Sequence, residues 1–156
     1  MVDCSQIYYI WILQKRVMIQ RIQSIYLLLA SISLLLMVIV PIGYQETEAG
    51  VVAVVEMMEN LPTLVSSILG GIIALMTIFL FNNRKLQLKI NGLLIFMCLL
   101  VIGSIALYQF VLGVNMITTP CYIPYGLSGF AFIFSILSYR GISADDKLVR
   151  SMDRLR

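Results

Sequence analysis

INGLLIFMCLLVIGSIALYQFVLGVNMITTPCYIPYGLSGFAFIFSILSY, residues Ile90–Tyr139, runs for fifty residues without one Asp, Glu, Lys, Arg or His. A water-soluble domain of 156 residues has no core able to hide that length, because its polar residues must be spread along the chain to cover its surface. A polar, proline-containing turn around Asn115 to Pro124 divides the run into two apolar parts, about Ile90–Gly113 and about Ile123–Tyr139. A bilayer core of about 30 Å takes about 20 apolar helical residues, so each part reads as a membrane-spanning helix. The last is the shortest: it starts inside the membrane, tilts little, or leans on Tyr122 and Tyr125 as interfacial anchors.

Working outward, two further uncharged runs precede these. Ile22–Val40 is closed by Pro41-Ile42-Gly43, and a second run extends from about Leu61 to Phe81, between Glu59-Asn60 and Asn82-Asn83-Arg84-Lys85. The chain is 60% hydrophobic, with a mean hydropathy of +0.96. The expected fold is all-α: a four-helix transmembrane bundle with antiparallel neighbours and a short C-terminal amphipathic cytoplasmic helix. Its organisation reads as an N-terminal extension (residues 1–17), the four-span bundle (18–140) and a tail (141–156).

Charge orients the bundle. All 11 Lys and Arg residues fall before the first span, between the second and third, or after the fourth. Retention of basic residues in the cytoplasm then places both termini inside. The first outer loop carries Glu46, Glu48, Glu56 and Glu59, and the second carries no charge. The four carboxylates lack the ligand spacing of a calcium loop and read as a solvated acidic loop. Its middle, Val51–Val55, is placed to rest on the rim of the bundle.

Before the first span, the apolar patch Ile7–Leu13 is too brief to cross a bilayer and has no cleavage site after it. Met18 opens MIQRIQSIYLLLA and reads as the translation start. The alternative is an interfacial segment anchored by Tyr8, Tyr9 and Trp11.

Chemistry is sparse. No ionisable residue lies inside the four spans, whereas pumps, ion-coupled carriers and voltage sensors need one at depth. The chain has no His, the commonest metal ligand and general base, and Cys4, Cys98 and Cys121 have no ligand spacing. No catalytic residue, cofactor or metal is expected, and the basic residues are too dispersed for nucleic-acid binding. Hydroxyls in the spans are expected to bond the preceding helical turn or a neighbouring helix. Gln109 needs a partner in hydrocarbon, and a facing serine is the expected one.

Packing and surface contacts carry the remaining signals. In the second span Ser66, Gly70 and Ala74 recur at four-residue spacing with Ser67 and Gly71 beside them, so another backbone can approach closely. That face serves packing within the bundle or a homodimer. The tail carries a partial capping box at Ser143 and Asp146, acids in its first turn and bases in its last, and the stripe Leu148, Met152, Leu155. Such a helix lies on anionic headgroups or docks on a partner protein.

MIQRIQSIYLLLA at Met18, NRKLQLKIN at Asn83 and DDKLVRSMDRLR at Asp145 together resemble one family. They are similar to the uncharacterised four-helix membrane proteins of Bacteroidetes grouped as domain of unknown function 4293, over roughly Met18–Arg156. The resemblance implies a bacterial inner-membrane protein and supports Met18 as the start. It transfers no activity, cofactor or catalytic residue, but it directs attention to the charged positions Arg21, Arg84, Lys85, Arg150, Asp153 and Arg154, of which Arg84, Lys85, Arg150 and Arg154 are the expected contacts to lipid or partner; at Arg150 and Arg154 an arginine fork can hold a phosphate or carboxylate at two points. The leading functional expectation is a non-enzymatic accessory or scaffold subunit. Its alternatives are a small channel or carrier for an uncharged solute, a lipid-interacting membrane protein and, last, a membrane enzyme.

Overall fold

A computed structural model describes residues 22–46, 52–81, 83–113, 119–120 and 122–153. The N-terminal extension, Met18, Arg21, Cys121 and Arg154 lie outside the described residues, as do the side chains of Leu148, Arg150 and Met152.

Four helices form. α1 is helical over residues 22–36 and continues into a 3-10 turn, Met37–Ile39. α2 is Leu61–Phe79, α3 is Arg84–Gly113 and α4 is Ile123–Asp153. All four are long and apolar enough to cross a membrane. Their outward faces are apolar, with Ile39, Phe79 and Phe110 each at least 75% exposed; in water such a surface would drive aggregation, and in lipid it is solvated.

Local chemistry sets the helix starts. Asn60 caps α2 by accepting from the Thr63 amide at 3.4 Å, and Pro62 sits in the first turn, where no amide is needed. The Asn83 side chain accepts from the Leu86 amide at 3.2 Å and starts α3 in the same way.

Neighbours run antiparallel around a ring. Ser31 of α1 donates to the Gly71 carbonyl of α2 at 3.0 Å. Thr63 of α2 meets Ser104 of α3 at 2.7 Å, and Asn91 of α3 donates to the Ser135 carbonyl of α4 at 3.4 Å. Tyr26 of α1 stacks on Phe134 of α4, with centroids 6.2 Å apart, and closes the ring. Leu27, Leu34, Leu94, Cys98, Val101, Ile105 and Ala131 fill the middle at zero exposure.

Two sequence expectations need correction. The α1–α2 and α3–α4 loops are not merely solvated: β1 (Gly43–Glu46), β2 (Val52–Val55) and β3 (Thr119–Pro120) form an antiparallel sheet in the order β2-β1-β3. Both loops contribute to it, and Tyr44 lies opposite Val54 on one side and Thr119 on the other. Ile42, Val55 and Met57 are buried beneath this end, which also carries Glu56 and Glu59.

The separate tail helix is the second correction. α4 runs unbroken through Gly141 and Ser143, so Ser143 lies in a helix interior and not at a cap. Ser135, Ser138, Ile142 and Asp145 are all buried, and their spacing keeps one face of the helix turned toward the bundle. Packing of that face overrides the weak local capping signal.

Candidate functional site at the basic end of the bundle

The two ends of the bundle differ in charge. Arg84, Lys85, Lys89, Arg140 and Lys147 lie at the end opposite the sheet, called here the basic end, and all but Arg84 are exposed.

Polar side chains inside the bundle gather in two layers. At the sheet end, Asn60 is 3% exposed and donates to the Ser104 carbonyl at 3.4 Å. Tyr125 donates to the Gln109 side-chain oxygen at 2.9 Å, and the Gln109 amide donates to the Ile42 carbonyl at 3.2 Å. Gln109 therefore bonds a tyrosine and a backbone carbonyl, and not the serine expected from the sequence. The hydroxyls of Ser66, Ser67, Thr77, Ser104, Ser128 and Ser135 each bond a carbonyl of their own preceding turn.

At the basic end, the sequence reading misses the central feature. Arg84 Nη1 lies 2.8 Å from Asp145 Oδ2, with the side chains 22% and 3% exposed. Arg84 thus faces a carboxylate of its own chain, whereas Lys85 remains exposed beside it. The missed signal was periodic: Asp145 continues the face of Ser135, Ser138 and Ile142, but assigning it to a tail hid the continuity. Ascending from this pair, Gln87 donates to the Thr77 carbonyl at 3.1 Å. Gln23 of α1 lies over Gly141, where a Cβ would come within 2.9 Å of Gln23 Cγ.

The small-residue face of α2 is turned inward. A Cβ on Gly70 would lie 3.0 Å from Leu34 Cδ1, and one on Gly71 only 2.8 Å from Leu35 Cγ. Ala74 is buried on the same face, and Ser66, at its edge, bonds the Pro62 carbonyl at 2.6 Å.

Apart from these layers, a cleft of about 310 Å³ lies at the sheet end, lined by Val38, Ile39, Pro41, Val54, Glu56 and Met58 among others. Among the described residues, no three His, Cys, Asp or Glu side chains group as a metal site would require.

Four apolar helices in a closed ring, with lipid-compatible outer faces and charge at the ends, define a multi-pass membrane protein. The family described as Domain of unknown function (DUF4293) matches residues 19–155, and the chain belongs to it. No curated protein and no solved structure matches the chain.

Proposed function

We propose that this protein is a non-enzymatic accessory or scaffold subunit of a bacterial inner membrane, with its basic end and both termini in the cytoplasm. The observation that carries the reading is the apolar fill between the two polar layers. Leu94, Cys98, Val101 and Ile105 of α3, with Leu27, Leu34 and Ala131, are all at zero exposure. Along α3 the seven-residue step from Leu94 to Val101, at about 1.5 Å per residue, gives an apolar section of about 10 Å. A channel or carrier for an uncharged solute needs a continuous polar lining, and this section interrupts it.

Function is then assigned to the basic end. Exposed Lys85, Lys89, Arg140 and Lys147 give a cationic rim suited to anionic headgroups or an acidic partner. Arg150 and Arg154 extend the same basic sequence. Retention of Lys and Arg on the cytoplasmic side supports the orientation.

Reconstitution in vesicles tests the scaffold reading. Shrinkage and recovery in glycerol or urea are expected to match protein-free vesicles, and accelerated recovery would overturn it. Replacing Arg150 and Arg154 together with Lys, and separately with Ala, tests the rim. Capture of partners or anionic lipid is expected to fall with Ala and to recover at most partly with Lys. Equal capture by all three forms would reject the arginine contacts.

A further inference from the structure

The two polar layers differ in one respect that the scaffold reading does not use. At the sheet end, the Asn60, Thr63, Ser104, Gln109 and Tyr125 side chains all have partners within the chain. At the basic end, Gln23 Nε2, Asn91 Oδ1, Ser138 Oγ and Asp145 Oδ1 are buried with no hydrogen-bond partner among the described residues. Arg84 Nη1 has the Asp145 carboxylate 2.8 Å away, so the atoms left without a polar partner are the other four. Each such atom has given up its bonds to water and gained none in return.

These groups share one lane. Ser138, Gly141 and Asp145 follow one another along α4, with Gln23 of α1 over Gly141, Arg84 of α3 at Asp145 and Asn91 of α3 at Ser135. Deeper in the bundle, α1 and α4 are joined by the Tyr26–Phe134 stack. Below it Gln23 of α1 lies over Gly141, a residue with no side chain to resist bending of the helix.

We propose that the basic end is a gate with a second, open conformation. In it, α4 beyond Ser138 swings away from α1 and α3, and water enters as far as the Leu94 layer. The Arg84–Asp145 pair is the latch. Opening hydrates the unpaired groups, which offsets the lost contacts, and the apolar section stays closed. The gate does not depend on the scaffold reading, since it admits water to half the bundle and conducts nothing across it.

The test uses the full-length protein in membranes with Cys4, Cys98 and Cys121 replaced by Ser, Ala and Ser. Single cysteines are introduced as Ser138→Cys, in the lane, and Ala131→Cys, in the apolar section. The probe is a methanethiosulfonate bearing a quaternary ammonium, which does not cross bilayers, applied to the basic end. Ser138→Cys is expected to react at least tenfold faster than Ala131→Cys, and about tenfold faster again once Arg84→Gln removes the latch. The exchanged pair Arg84→Asp with Asp145→Arg is expected to return the rate toward the parent value. Should Arg84→Gln fail to insert, Gly141→Ala, whose Cβ displaces Gln23, is expected to give the same acceleration. Equal rates at the two cysteines, or rates indifferent to the latch and to Gly141→Ala, would overturn the gate. Failure of the exchanged pair to restore protection would overturn the role of the latch.

Discussion

Tyr125 of α4 donates its hydroxyl to the side-chain oxygen of Gln109 on α3 at 2.9 Å. The Gln109 amide passes the connection on to the Ile42 carbonyl at 3.2 Å, and Ile42 in turn donates its backbone amide to Val55 at 2.9 Å. One glutamine thereby joins two spans to the segment that leads into β1 of the sheet. Removing it leaves a buried carbonyl and a phenol without partners, which costs more than the bonds themselves contribute. Gln109→Leu is expected to lower stability by about 2–3 kcal/mol and Tyr125→Phe by about 1 kcal/mol. Unfolding in mixed detergent micelles measures both, and an effect of Tyr125→Phe that persists in the Gln109→Leu background would show that the bond is not the cause.

Glycines on α2 and α3 should answer the same substitution in opposite ways. A Cβ on Gly71 would come within 2.8 Å of Leu35 Cγ, whereas one on Gly103 meets nothing within 4 Å. Gly71→Ala therefore overpacks the α1–α2 contact and is expected to cost about 1–3 kcal/mol. Gly103→Ala fills no occupied space and improves helix propensity, so it should be neutral or stabilising by up to about 1 kcal/mol. Melting temperatures in mild detergent at concentrations where the protein is monomeric separate the two. Similar losses for both would mean that α2 does not approach α1 as closely as Gly71 indicates.

Register in the three-stranded sheet can be read with cysteines. Tyr44 of β1 faces Thr119 of β3, and opposed residues on paired antiparallel strands bring their Cβ atoms within disulfide reach. With the three native cysteines replaced, Tyr44→Cys with Thr119→Cys is expected to cross-link on mild oxidation. Gln45→Cys with Thr119→Cys should not, because side chains alternate across a strand. Gel mobility after cleavage between the spans distinguishes them, and equal cross-linking by both pairs would reject the register.

The parts legible in the sequence were those that need only one dimension. Uncharged length marks a span wherever it occurs, so all four helices were visible before any contact was known. The small residues of α2 were also visible, because helical periodicity alone places Gly70, Gly71 and Ala74 near one face. Pairings across the fold were not. Arg84 and Asp145 are brought together only by the antiparallel docking of α3 on α4, and each has a plausible local role at a helix end that conceals it. The sheet had a partial signal in the β-branched run Val51–Val55, which favours a strand. Its third strand comes from the α3–α4 loop, and no local pattern links the two loops. Ser143 failed for the opposite reason: a local capping motif was present, and burial of Ile142 and Asp145 outweighed it.

Asn60 and Ser104 offer a test of whether the sheet-end layer acts as one unit. Asn60 caps α2 through the Thr63 amide and donates to the Ser104 carbonyl, while Thr63 and Ser104 share a hydroxyl bond of 2.7 Å. Ser104→Ala removes the bond to Thr63 and the Ser104 hydroxyl's own bond to the Val101 carbonyl, and interhelical bonds of the first kind average about 0.6 kcal/mol in membrane proteins. Asn60→Ala removes a cap as well, worth about 1 kcal/mol, and leaves a buried amide unpaired. The two residues touch, so their effects should not add: the double variant is expected to fall short of the sum by about 0.5 kcal/mol or more. A double-mutant cycle on detergent unfolding provides the number. Strict additivity would mean that the α2 cap and the α2–α3 contact are independent, and that Asn60 is retained for its own helix alone.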